Sequence, residues 1–238
     1  MEPAVIDQLR RVSTATVQNQ LFARGLRNTV IRGVHALSPD HNRFVAEAFT
    51  LRYIPAREDI DVLAAFRDPN HPQRVAVDTV PAGQALVVDS RQDGSAASAG
   101  EILMTRLKVR GCAAFVTDGA VRDSGPIKEI GLPVFVATTT PTTNLALHHA
   151  IDVQVPIGCG GVAVYPGDVL VGDSDGVVVI PRHLAAEVAR DAVDQEDLEA
   201  FLRARVAAGA PVRGTYPPTS ELRAEYERSR HSTTTPVE

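Results

Sequence analysis

The chain has 238 residues, with 24 Lys or Arg against 29 Asp or Glu, a formal charge of −5. That balance excludes the global basic field that draws nucleic acid or an anionic membrane to a protein. Absence of Trp and an aromatic content of 5% leave no stacking surface for bases, and the length suits one substantial core.

Ser13 is placed to N-cap a helix over Thr14–Ala23, with Gly25 to stop it. Residues 45–54 alternate loosely as a strand, and a helical pattern over 60–66 stops before a turn-rich surface loop, Asp68-Pro69-Asn70-His71-Pro72. Then Ala85–Asp89 predicts a strand, 99–110 a helix, 113–117 a strand, 127–130 a short helix and 133–137 another strand. Such alternation predicts an α/β layer with strand ends aimed at one rim. Short apolar runs at 153–155, 162–164, 169–171 and 177–180, separated by turn residues, predict a β-rich half packed against it. Apolar positions Leu184, Val188, Leu198, Phe201, Leu202 and Val206 predict one amphipathic helix over 183–208, ended by Gly209-Ala210-Pro211. One domain is expected over 1–215, with a polar tail over 216–238 that frays. No apolar run approaches the ~20 residues that span a bilayer, and no secretory leader is visible, so a cytoplasmic protein is expected.

The most informative stretch is Asp118-Gly119-Ala120-Val121-Arg122-Asp123, which a buried strand delivers into a glycine-bearing turn. Arg122 offers a planar two-donor fork for a carboxylate, and Asp123 offers hard oxygens for a divalent cation. Gly100 opens the helix carrying Glu101, Ile102 and Leu103, whose free N–H groups favour an anion. The bland alternatives are an ordinary helix start, with Glu101 complementing the dipole, and a surface ion pair. Both halves in one chain, ~20 residues apart, favour a shared substrate site.

Other candidates read as scaffold. Adjacent His148 and His149 point in different directions and have no third ligand spaced nearby. Cys159, in Gly158-Cys159-Gly160-Gly161, has no base specified for it and reads as a small buried thiol; with Cys112 it is expected reduced. The turns around Asp168, Asp173 and Asp175 lack the full calcium-loop pattern, and no GxGxxG or GxxxxGK[ST] motif occurs for a nucleotide.

Six motifs, in order, carry a family resemblance: Gly100-Glu101-Ile102-Leu103, Lys108-Val109-Arg110-Gly111, Asp118 to Asp123, Leu132-Pro133-Val134-Phe135, Gly160 to Asp168, and Asp175 to Pro181. Together they resemble the RraA-like family, most closely its class II 4-hydroxy-4-methyl-2-oxoglutarate aldolases, which also decarboxylate oxaloacetate. The resemblance covers residues 85–181. It implies an α/β fold of the β/β/α swivelling-domain type, phosphohistidine-domain-like, with flanking N- and C-terminal helices. It also implies a homotrimer or hexamer with sites at subunit interfaces, a 2-oxo acid substrate, and a Mg²⁺ or Mn²⁺ cofactor. Carried over, Gly100, Glu101, Ile102 and Leu103 bind substrate, Arg122 grips it, Asp123 holds the metal, and Glu101 orients metal-bound water. A further Glu comes from the neighbouring subunit's C-terminal helix, with Glu196 and Glu199 as candidates. The regulator branch, which binds and inhibits a ribonuclease, lacks the acidic residue after the Arg. Asp123 therefore favours the enzyme. Residues 59–74 are longer than in the compact aldolases, which leaves a sugar-derived 2-oxo acid as an alternative substrate.

Overall fold

The computed structural model describes residues 1–232. In chain order the elements are α1 (Pro3–Arg11), α2 (Thr14–Ala23), β1 (Val30–Ile31), β2 (His35–Ala36), β3 (Phe44–Pro55), α3 (Pro72–Thr79), β4 (Ala85–Asp89), β5 (Ala97–Ala99), α4 (Glu101–Val109), β6 (Ala114–Val121), α5 (Ser124–Glu129) and β7 (Val134–Thr139). They are followed by β8 (His148–Val153), β9 (Ile157–Cys159), β10 (Val162–Val164), β11 (Val169–Asp173), β12 (Gly176–Ile180), α6 (Ala185–Ala207) and α7 (Ser220–Ser232).

A ten-stranded sheet runs β1-β12-β11-β3-β4-β6-β7-β2, with β5 added to β6 and β8 to β3. The Val- and Ala-rich strands β4 and β6 pair in parallel at its centre, and their near-continuous burial explains their lack of polar alternation. The long strand β3 joins the two halves: residues Phe44 to Glu47 pair with β11, and Ala48 to Arg52 pair with β4. On one face Phe49, Leu86, Met104, Leu107 and Phe115 form a core beneath the helices. On the other, Phe44, Val87, Val116, Phe135 and Cys159 pack together, closed over by the β9–β10 hairpin. A third cluster seats α1, α2 and α6 on Val169, Val171, Val178 and Ile180. This is the mixed α/β fold with flanking helices that the resemblance implies.

Ser13 caps α2 as expected, its hydroxyl accepting from the Thr16 N–H at 3.1 Å. Several boundaries differ from the sequence reading. The expected strand over 113–117 runs on to Val121, because Gly119 sits in a pairing irregularity rather than a turn. The run at 153–155 falls at the end of β8, and the segment near 60–66 is a 3-10 turn, Leu63–Arg67. The short helix starts at Ser124. Helix α3 begins inside the expected loop, where Pro72 at the first helical position has its φ already set for a helix. The tail does not simply fray: through Ser232 it forms α7, which packs on α6 through Phe201 and Tyr226, ring centroids 5.5 Å apart, and an Arg205–Glu225 ion pair. The remaining tail residues, 233–238, lie outside the described residues. Among the described residues no helix is long and apolar enough to cross a membrane.

Candidate active site

The site is built on the outer end of β6. Its inner part is locked by Asp118, a buried carboxylate that accepts from the backbone N–H of Ser90 at 2.7 Å, Gln92 at 3.2 Å and Gly160 at 3.0 Å. Burial nevertheless outweighs those bonds and pushes the Asp118 carboxyl above its ordinary range. A Cβ on Gly119 would lie 2.5 Å from the Ser90 Cβ, so glycine there permits close approach of two strand ends. Beside it the hydroxyls of Ser90, Ser98 and Thr117 form a buried triangle with sides of 2.6, 2.9 and 3.0 Å.

Strand β5 runs along this end of β6, and the Arg122 N–H continues the ladder to the Ala99 carbonyl at 3.1 Å. The chain then turns at Gly100 into α4. A Cβ at Gly100 would sit 2.7 Å from Asp123 Oδ2 and 3.0 Å from Arg122 Nε. Since φ is −130° there, glycine is demanded by space and not by backbone conformation. Asp123 adopts the left-handed conformation, φ 60° and ψ 39°, at the start of α5. Its Oδ2 accepts from the Glu101 N–H at 3.3 Å and lies 3.6 Å from Arg122 Nε. The Arg122 and Asp123 side chains are 47% and 44% exposed, so both are accessible from solvent.

Gly100, Glu101, Ile102, Leu103, Arg122 and Asp123 all line one cavity of about 360 Å³, so the two halves of the sequence motif do meet. Glu196 and Glu199 do not line it. Glu196 accepts from the Ser13 N–H at 2.9 Å and the Thr16 hydroxyl at 2.7 Å, which hold its carboxyl below the ordinary range despite partial burial. Glu199 accepts from Gln195 Nε2 at 2.8 Å.

The rest of the cavity lining, invisible to motif reading, includes Phe66, Gln73, Arg74 and Asn144. Gln73 Nε2 donates to the Ser98 carbonyl at 2.7 Å and to the Tyr53 hydroxyl at 3.1 Å. Tyr53 is fully buried, which pushes its phenol up. His148 stacks on Tyr53 with centroids 5.4 Å apart, and its Nε2 lies 3.2 Å from the Ala96 carbonyl; burial lowers its pKa. His149 Nδ1 lies 2.7 Å from Asp61 Oδ1, tying the 57–67 segment to β8. Neither histidine lines the cavity. Cys159 is buried with its thiol pushed well up, unsuited to nucleophilic attack.

Among the described residues no group of three His, Cys, Asp or Glu is arranged to hold a metal. Glu101 and Asp123 are two hard-oxygen donors on one open cavity. That donor set fits Mg²⁺ or Mn²⁺, which bind through one or two carboxylates and otherwise keep water or substrate oxygens.

Fold and cavity together define an α/β protein with a pocket between a strand end and a helix start, lined by Arg122, Asp123 and the first residues of α4. The chain belongs to the RraA-like family, described as Aldolase/RraA, which matches residues 11–179. A Halalkalibacterium halodurans relative, named provisionally as a 4-hydroxy-4-methyl-2-oxoglutarate aldolase, is 40% identical over 123 residues, 51% of this chain and 58% of its own length. The chain thus spans little more than half of that relative. A Thermus thermophilus protein named 4-hydroxy-4-methyl-2-oxoglutarate aldolase is 32% identical over 52% of this chain and 74% of its own. Among solved structures, Streptomyces coelicolor RraAS2, described as an unusual member of the RNase ES inhibitor RraA protein family, superposes with a TM-score of 0.75 at 32% identity. That superposition covers 85% of this chain and 97% of the other.

Proposed function

We propose that the protein is a divalent-metal-dependent lyase that cleaves 4-hydroxy-2-oxo acids of the 4-hydroxy-4-methyl-2-oxoglutarate type to pyruvate, and that it also decarboxylates oxaloacetate. The observation that carries this reading is the convergence of Arg122, Asp123 and the α4 N-terminus on one cavity. Asp123, with Glu101 acting through water, would hold a Mg²⁺ or Mn²⁺ ion, which when bound supplies Lewis-acid polarisation of the substrate's keto group.

The chain's own residues do the rest. Backbone N–H groups at the start of α4 and the Arg122 fork bind the substrate carboxylate. Glu101 orients a water that takes the proton from the 4-hydroxyl. The C3–C4 bond then breaks, C4 becomes a carbonyl, and the electron pair is left as the pyruvate enolate. Arg122 stabilises the charge on the enolate oxygen, and protonation at C3 releases pyruvate. Loss of CO₂ from oxaloacetate leaves the same enolate.

The resemblance supports assembly as a homotrimer or hexamer in which Glu196 or Glu199 reaches a neighbouring site. Glu199, with a single bond inside its own helix, is freer to do so than Glu196. Ile102, 83% exposed beside the cavity, suits such an interface. The likeness to RraAS2 favours a second reading, a non-enzymatic inhibitor of a ribonuclease. A pyruvate-release assay across 4-hydroxy-2-oxo acids and oxaloacetate, with and without EDTA, separates the two. EDTA-sensitive release is expected; no release from any acid, with a ribonuclease complex formed, would reverse the assignment.

A further inference from the structure

Resting on that reading, we propose that Arg74 is a second anion grip in the same cavity, binding the carboxylate remote from Arg122 and so selecting 2-oxo acids that are dicarboxylates. Arg74 lines the same cavity as Gly100 and Arg122 but comes from a different element, the first turn of α3. That position is electrostatically poor for a cation, because the N-terminal turn of a helix prefers negative charge, and α3 has no acidic residue there to compensate.

Glu101 and Asp123 line the same cavity, but neither is in ion-pair contact with Arg74. Among the described residues its guanidinium forms no ion pair and no side-chain hydrogen bond; its contact is with the Phe66 ring, 4.5 Å from the centroid. Stacking holds the guanidinium face and leaves the N–H edge, the part that forks onto a carboxylate, available. Arg122, by contrast, already has Asp123 beside it.

Two further residues lining the cavity point to a polar ligand. Asn144 is 4% exposed, and its Nδ2 is buried without a hydrogen-bond partner. Its amide faces the Tyr53 hydroxyl and lowers that group's pKa by hydrogen bonding, while Nδ2 falls short of full bonding geometry there. Gln73 is 3% exposed; the Ser98 carbonyl fixes Nε2 as the donor, which leaves Oε1 buried and unpaired. Buried polar atoms are nearly always satisfied, so an underused donor and a free acceptor among the cavity's lining residues fit a polar ligand or water there. A remote carboxylate would accept from Asn144 Nδ2 and Arg74, and a hydroxyl could donate to Gln73 Oε1.

The test compares wild type with Arg74→Met and Arg74→Lys. 4-Hydroxy-4-methyl-2-oxoglutarate, whose remote carboxylate survives the reaction, serves as the dicarboxylate, and 4-hydroxy-2-oxopentanoate as the monocarboxylate. Loss of a charged hydrogen-bond partner predicts that Arg74→Met lowers the dicarboxylate-to-monocarboxylate ratio of kcat/KM by about ten- to a hundredfold, mainly through KM, with Arg74→Lys between. Calorimetric affinities for 2-oxoglutarate against pyruvate, measured with Mg²⁺ present, should show the same loss of preference without any turnover. An unchanged ratio in both measurements overturns the role of Arg74. If wild type releases no pyruvate, the lyase reading fails, while the affinity ratio still decides for or against Arg74. Should Arg74→Met fold poorly, Arg74→Lys reads the same ratio.

Discussion

Asp118 and Asp123 stand five residues apart on one stretch of chain, and the structure uses them in opposite ways. Asp118 is 2% exposed and surrounded by three backbone N–H donors that it alone satisfies; Asp123 is about half exposed and takes one long bond from Glu101. A carboxylate whose lone pairs are filled by the backbone can only hold the fold, whereas one left underused at a cavity edge can take a ligand. The Asp118 part of this stretch holds the fold, and the outer end, where the proposed chemistry sits, faces the cavity.

The largest test of that contrast is removal of the outer pair. Arg122→Ala and Asp123→Ala should each lower pyruvate release by ~10²–10³, the range for losing one charge-stabilising group, while leaving the melting temperature within a few degrees of wild type. If activity loss follows loss of fold, the division of labour is wrong.

The inner residue should behave in reverse. Asp118→Ala leaves three N–H groups without acceptors and should cost about 3 kcal/mol of unfolding free energy in urea titrations. Burial raises this carboxyl above its ordinary range in the folded state, so the native protein holds that proton more tightly than the unfolded chain. Its contribution is therefore present below the unfolded value and is lost as pH rises through the raised one. Urea titrations from pH 3 upward should show that fall in wild type and lack it in Asp118→Asn.

Two glycines sharpen the same comparison at smaller amplitude. Gly100→Ala places a methyl against Asp123 Oδ2 and Arg122 Nε, flexible groups at the cavity, and should reduce kcat/KM about tenfold with little change in stability. Gly119→Ala drives a methyl into Ser90 and should instead destabilise by about 1–3 kcal/mol. Melting curves and rates on the two variants check both.

The sequence made one part of the cavity lining legible and not the rest. Gly100 to Leu103 and Arg122-Asp123 are compact motifs whose residue types state their chemistry, and the parallel β5–β6 pairing brings them together. Gly119 misled because glycine near a strand end reads as a turn; its actual service, letting Ser90 approach, is a tertiary fact. Arg74 carried no motif. It lies just past what read as a surface loop, at the end of the long 59–74 segment, and only the Pro72 start of α3, together with the Gln73 and Asp61 anchors, fixes that segment at the cavity. The tail likewise looked solvated because its partners on α6 are distant in sequence.

The left-handed backbone at Asp123 also limits how this site could change over generations. Asn tolerates that conformation nearly as well as Asp, and glycine adopts it freely, whereas a β-branched residue there would carry strain on the order of 1–3 kcal/mol. A lineage drifting from this chain could abandon the carboxylate cheaply through Asn or Gly and keep the fold intact. Regaining it would need only Asp at a position whose backbone already waits in the right shape.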